Sequence, residues 1–499
     1  MSTDASPWPP PGGKTVPAGG FVPGAAGAGD PYFPKAGNGG YDVGHYDIRL
    51  RYEPRGRKIS GTTRITATAT QNLSRFDLDF VGNRVRKITV DGVNARYERA
   101  GQELIVTPAA GIPSGTRFTV AVAYDGSPPH GKNASLGRTG WIRTPDGAVT
   151  LSQPQGSATW FPLNDHPSDK ATHTYTITVP KGLTVVANGE PSGELRRTHR
   201  ALTNHRAHHN HTPHQNHMPH QNHRAHQNHE APQATRTYRW RSRHPMASYL
   251  AMVAIGKFRV MDGASPKGVR TITAVDSSLK QNRSWLQKTT GTVTDWGTRT
   301  FGPYPFDSTG GVVDNVKVGY ALETQTRPVY PHQADTALLV HELAHQWFGD
   351  SVGLKRWKDI WLNEGFATYA EWLYTEQHRG ATAKQMFAKA YKHSAGSAVW
   401  KRRTGAPGRK GMFDYFAIYT RGAMTLHALR TAVGDPTFFR ILRTWVAAHA
   451  HGHATTDDFI KHAERVSERP LRPVFKEWLY KSGKPGKPKR VPRPAPKQP

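Results

Sequence analysis

The chain has no cysteine in 499 residues. Disulfides and thiolate metal sites are therefore excluded, and any bound metal must take His, Asp or Glu. Acidic residues are also scarce, 37 Asp+Glu against 67 Lys+Arg, which leaves a net charge of +30. Long apolar runs are missing: no stretch approaches the roughly 18 consecutive apolar residues of a membrane span. Met1 to Pro10 lacks both a basic and an apolar leader region. No secretory signal is read, so a cytoplasmic location is the default expectation, with secretion the alternative if a leader is missing. The surplus cations are dispersed rather than gathered with aromatics into a nucleic-acid module, so no specific nucleic-acid partner is expected.

What is present divides the chain. Its length calls for two or three domains. Residues 1–40, rich in Pro, Gly and Ala, read as a flexible leader. From Tyr41 short alternating stretches take over. In His45 to Tyr52, the side chains of Tyr46, Ile48, Leu50 and Tyr52 share one face. Thr62–Thr70, Phe76–Phe80, Arg117–Tyr124 and His173–Val179 behave alike, separated by turn residues such as Asp91-Gly92. The expectation is an antiparallel β-sandwich or saddle domain over 41–262. It is interrupted at 199–230 by a tract with ten His from His205 to His229. A strand is expected over Val312–Leu322. Helical periodicity marks Ser284–Thr298 and much of the remainder, so the class is α+β multidomain. A mainly helical second domain would cover 263–482 and a disordered basic, Pro-rich tail 483–499.

The chemistry concentrates at His341-Glu342-Leu343-Ala344-His345. Asp335 is the expected N-cap of its helix and Gly349 the stop. At i and i+4 the two histidines project from one face and can reach one zinc at about 2.0–2.1 Å. Glu342, one position along, can act on the water such a metal activates. A catalytic zinc needs a third protein ligand, for which Glu364 is the candidate. Glu371, two turns further on the same face, can hold the second ring nitrogen of His341 or His345. A chance His-Glu-x-x-His with a defined later Glu is expected in roughly one such chain in five hundred, so coincidence is set aside.

The match then goes beyond spacing. His341 to Asp350, together with Trp357 to Ala367, resembles the aminopeptidase N-like zinc aminopeptidases, gluzincins whose catalytic domain is thermolysin-like. The resemblance runs from about Tyr41 to Lys484 and includes Phe301–Phe306 and Met246–Leu250, the latter at the family's domain junction. It implies one catalytic Zn2+ on His341, His345 and Glu364. It also implies that Glu323 holds the substrate's α-amine while Gly319, Tyr320, Ala321 and Leu322 pair with the peptide as an edge strand. The family's Asn after that Glu is Thr324 here. Ser152-Gln153-Pro154-Gln155 aligns with a segment whose Glu or Gln contacts the amine, with Gln155 the candidate. Tyr419, in Tyr419-Thr420-Arg421-Gly422-Ala423, would donate to the oxyanion. Many members carry a helical C-terminal domain over the active site. The sequence to Pro499 is too short for one, so a short form with an open cleft is expected, any roof coming from another chain.

The reading is a zinc metalloaminopeptidase, a hydrolase acting on peptides with a free N-terminus. No sequence feature specifies an oligomer. Two rivals stand beside it: a zinc endopeptidase, and a metal-buffering protein that uses the His-rich tract. Deleting residues 200–230 separates the last from the enzyme: the enzyme keeps one tight zinc and its activity, whereas a buffering protein loses its metal capacity, as read by metal titration.

Overall fold

The computed structural model describes residues 20–192 and 234–494. In the first half, alternation becomes sheet. Strand Tyr41–Glu53 buries Tyr46, Ile48, Leu50 and Tyr52 and exposes Arg49 and Arg51. It sits inside an eight-stranded sheet, antiparallel to Lys58–Ala69 and parallel to Ala171–Pro180. A four-stranded and a five-stranded sheet complete this unit. In the five-stranded sheet, strands Ala148–Leu151 and Val253–Gly256 are buried along their whole length.

The second unit opens with a four-stranded sheet ordered Phe258–Ala264, Arg270–Asp276, Ser308–Asp314 and Val329–Pro331. A border at 262/263 therefore cuts through the first strand of that sheet. The strand expected over Val312–Leu322 runs instead from Ser308 to Asp314. Beyond it the chain leaves the sheet, and Leu322 rejoins it only through an isolated bridge to Val329. Helices follow: α1 (Arg283–Phe301), α2 (Thr336–Ala344), α3 (Trp361–Gln377), α4 (Ala383–Ala390), α5 (Arg421–Val433), α6 (Asp435–Ala448) and α7 (Thr456–Ser467). Their starts follow local chemistry. The side chains of Asn282, Asp335 and Thr382 accept amide N–H groups in the first turns of α1, α2 and α4. A π-helical turn, Tyr415–Thr420, precedes α5. Among the described residues, no helix is long and apolar enough to cross a membrane.

One apolar core runs through both units, and the segment expected to be a flexible leader helps to join them. Residues 20–29 run largely exposed along the β unit, and within 30–40 Asp30, Phe33, Ala36 and Asn38 are buried. Buried Asp30 accepts the amides of Tyr32 (2.8 Å) and Phe33 (3.1 Å), and across the units that of Trp357 (2.8 Å). Burial alone would raise its pKa; His166 and these amides hold it below the usual carboxylate value. Phe33 meets Trp357 edge-on at 6.1 Å. Composition counts apolar residues and is blind to a single carboxylate that satisfies three backbone donors. The tail is likewise ordered over its described part, 483–494. Val491 donates its amide to the Ala432 carbonyl (3.0 Å), and Tyr391 donates its hydroxyl to the Pro485 carbonyl (2.6 Å). The His-rich tract 199–230 lies outside the described residues, as do 1–19 and 495–499.

One strand carries a testable electrostatic cost. Glu103 is buried with both carboxylate oxygens unpartnered. Burial, then the charge of Asp77, pushes its pKa up to about 7. Because the folded pKa exceeds the unfolded one, the folded chain holds a proton that the unfolded chain releases. Stability therefore falls as pH rises through that window. Glu103→Gln should remove this fall: between pH 5 and pH 8, urea unfolding should show the parent losing about 2 kcal/mol more than the variant.

Candidate metal centre and active site

Helix α2 presents His341 and His345 one turn apart, and α3 brings Glu364 between them. Glu364 Oε2 lies 3.4 Å from His341 Nε2 and 3.4 Å from His345 Nε2. The other ring nitrogens are already engaged. His341 Nδ1 faces Glu371 Oε1 at 2.6 Å, and His345 Nδ1 faces the Phe348 carbonyl at 3.1 Å. With their Nδ1–H groups donating, both imidazoles turn an Nε2 lone pair inward, the tautomer a metal requires. The ligand atoms of His341, His345 and Glu364 all lie within 4.8 Å of one another. Two imidazoles and one carboxylate, with no thiolate, suit zinc with an open fourth position.

Charge is concentrated here. Burial would raise the Glu364 pKa, but the flanking imidazoles, in their protonated, metal-free form, pull it down to about 2. Glu342 is pushed by burial up to about 8, against the pull of His341 and His345. Glu323 is raised for the same reason. Its ligand atom, with those of Glu342 and His345, forms a second group within 4.8 Å.

Two glycines set the spacing of these helices. A Cβ on Gly365 would stand 2.9 Å from the Gly422 Cα, and one on Gly422 2.8 Å from the Gly365 Cα. Helices α3 and α5 thus touch backbone to backbone beside Glu364, which brings the π-helical turn ahead of α5 against the metal cluster. There the Tyr419 ring stacks on His341 at 6.0 Å and on the exposed Tyr415 at 5.8 Å. A π-helical turn at such a place re-aims a side chain relative to the following helix. Gly349, at φ 134°, sits where a Cβ would come 3.3 Å from His345 Nδ1. The expected stop thus lies tight against the site, although α2 itself ends at Ala344.

Glu323 is held from both units. Its Oε1 accepts Gln153 Nε2 at 2.9 Å, and its carbonyl accepts Gln346 Nε2 at 3.3 Å. Gln346 Oε1 also accepts the Thr326 amide at 2.7 Å. Thr326 has a left-handed φ of 66°, a strained conformation that the surroundings must enforce. They do so through Asn188, which donates to the Gln325 carbonyl (2.7 Å), and through the Gly189 amide, which donates to Thr326 Oγ1 (2.8 Å). Thr324, where an Asn is the family pattern, uses its hydroxyl to cap the Arg327 carbonyl.

A cavity of about 500 Å³ joins these groups. It is lined by the ligand set, Glu342, Glu371, Tyr419, Glu323 and Gly319 to Ala321. Two expectations fail. Gln153, not Gln155, lines the cavity; both flank Pro154, and the Glu323 carboxylate pairs with the former while Gln155 stays half-buried outside. Leu322 is buried, and its amide and carbonyl both pair with Val329 (2.9 and 2.8 Å), so neither is free for an incoming strand. Asn188 and Tyr415 had no motif to mark them, and Gln346 lies within the matched stretch His341–Asp350 without a role assigned to it. Only the adjacency of Gln346 to His345 could have drawn attention to it.

Comparison with known proteins addresses the family and the fold. The Peptidase family M1 domain matches residues 317–478 and the Peptidase M1 N-terminal domain residues 43–214. Aminopeptidase M1-D of Oryza sativa subsp. japonica is 26% identical over 277 residues, 50% of this chain and 31% of that protein. Leucyl aminopeptidase of Saccharolobus solfataricus is 22% identical over 472 residues, 89% of this chain and 54% of that protein. The chain thus spans about half or less of the length of these curated relatives. The solved M1 zinc metallopeptidase from Deinococcus radiodurans superposes with a TM-score of 0.79 at 28% identity, covering 94% of this chain and all (100%) of that one. A variant of that protein bound to a Tyr-Ser-Ala substrate matches with the same score over 93% of this chain.

The Glu371 contact predicts a metal phenotype. Glu371→Gln should weaken zinc binding by about 10–100-fold, read by competition with a chromogenic chelator. Unchanged affinity would show that the contact does not orient His341.

Proposed function

We propose, for a chain that belongs to peptidase family M1, zinc-dependent removal of N-terminal residues from peptides. The observation that carries this reading is the distance between two carboxylates with different tasks. A ligand oxygen of Glu323 lies within 4.8 Å of both the Glu342 oxygen and the His345 ligand nitrogen. In a peptide the α-amine and its own carbonyl carbon are separated by two covalent bonds of about 1.5 Å each. An ammonium paired with Glu323 therefore sets the first carbonyl, and no later one, beside His345 and Glu342. Glu323 is 3% exposed, so a chain cannot continue past it. That favours an exopeptidase over the endopeptidase alternative. The names of the rice and Saccharolobus relatives, and the Tyr-Ser-Ala complex, support the same class.

Each residue then has a task. Held by His341, His345 and Glu364, zinc would supply Lewis acidity for carbonyl and water. Glu323, backed by Gln153, fixes the substrate ammonium through a charge-assisted hydrogen bond in a water-poor pocket. Glu342 takes the proton of the attacking water and passes it to the leaving amine; burial raises its pKa above the ordinary carboxylate value, which makes it a stronger base. The Tyr419 hydroxyl, kept neutral because burial raises its pKa far above the ordinary value, donates to the developing oxyanion. Gly319 to Ala321 line the route of the peptide.

Three measurements test this. A chelator should abolish hydrolysis of aminoacyl-coumarin substrates, and zinc should restore it. Glu342→Gln should keep its zinc while kcat falls by about 10²–10⁴-fold; a fully active variant would sink the assignment. Glu323→Ala should depress kcat/KM for free-amine substrates far more than for N-acetylated ones. Equal loss on both would remove the exopeptidase argument.

A further inference from the structure

A second cavity, of about 960 Å³, opens beside the first. The two share Thr368, Glu371 and Tyr415 as a common wall. None of Glu323, Gln153 or Gly319 to Ala321 reaches the second cavity. It therefore lies on the side of the metal cluster away from the amine-binding carboxylate. A substrate whose amine is on Glu323 and whose first carbonyl is beside His345 can continue past Tyr415 into this second space. At about 3.4 Å per extended residue, and with the volume of a drug-sized ligand site, it takes a few residues.

Its walls are chemically biased. Trp372, Met386, Ala390 and Phe416 give an apolar base, and Lys389 and His393 stand at the rim. Lys389 lies on α4 and makes no ion pair among the described residues. His393 packs edge-on to Phe416 at 5.2 Å, and its carbonyl takes the ammonium of Lys484 at 2.8 Å, which adds a second cation nearby. The lone carboxylate in the lining, Glu371, is already committed to His341. An apolar cleft with Lys389 in its lining attracts anions.

We infer that this lobe receives the part of the peptide beyond the scissile bond and selects for a carboxylate there, with Lys389 as its main partner. This rests on the aminopeptidase reading above and narrows it to short peptides with a free C-terminus or an acidic residue after the first. The carboxylate of Leu-Gly-Gly and the side chain of an internal Asp offer the same chemistry and are separated by the test.

Cleavage would be compared for Leu-Gly-Gly and its C-terminal amide, for Leu-Asp-Gly-amide and Leu-Asn-Gly-amide, and for leucyl-aminomethylcoumarin, which has no peptide beyond the scissile bond. The zinc-loaded protein should favour at least one carboxylate partner by about 10-fold in kcat/KM at low salt, and less at high salt. The pair showing the difference identifies the source. Lys389→Gln should bring the favoured ratio towards one, and Lys389→Glu should invert it. Because both members of a pair meet the same protein, loss of fold cannot mimic a changed ratio. Ratios of one for both pairs in the parent protein, with the coumarin substrate still cleaved, would overturn this inference and leave the aminopeptidase reading intact. Failure to cleave the coumarin substrate would count against both.

Discussion

Everything in the second unit answers to one electrostatic problem, the packing of several carboxylates around two imidazoles out of water. Glu323, Glu342 and Glu364 are all buried, and Glu371 stands directly behind His341. Anions so close repel one another, and desolvation adds to the cost. The arrangement distributes that strain unequally. Glu364, between the rings, is held as a carboxylate. Glu342 and Glu323, further from them, have their pKa values raised. A divalent cation among the ring nitrogens is the natural counter-charge to such a cluster, and the inequality separates the more basic carboxylate, Glu342, from one held ionised between the rings, Glu364.

The scaffold makes this possible by close approach rather than by bulk. Gly365 and Gly422 let two helices touch, which places an acid from one and a phenol from the next turn around the same two rings. The Glu323 loop is fixed by side-chain amides from three places: Gln153 and Asn188 from the β unit and Gln346 from the motif helix. An amide both donates and accepts, so each can bind a backbone or a carboxylate without adding charge to a site already crowded with it. Glu323 is thus held from both units, its carboxylate by Gln153 and its carbonyl by Gln346.

Much of this was legible in the sequence because it is local. Alternation placed Tyr46, Ile48 and Leu50 in the core, Asp335 declared the start of the motif helix, and the i, i+4 histidines with Glu364 followed from helical geometry. What was not legible depends on which of two equivalent neighbours the other unit meets. Gln153 and Gln155 have the same side chain on either side of a proline, and only the docking of the β unit chooses between them. Leu322 belongs to a motif that suggests an edge strand, yet Val329 had already taken its amide and carbonyl. Residues 20–40 failed for another reason: they are tied down by distant partners, Val22 pairing with Leu73, Asn38 with Asn164, and Asp30 and Phe33 with Trp357 more than 300 positions away, and no window of composition spans such distances.

That last contact has a temporal side. Asp30 is made early in synthesis, but Trp357 is made more than 300 residues later. Until then a buried carboxylate and the Phe33 ring lack one wall of their pocket, and the β unit leaves the ribosome with an open seam. Chains grow at about 5–20 residues per second, so the seam stays exposed for tens of seconds. The pocket around Asp30 and Phe33 thus closes only once the metal-bearing unit has folded.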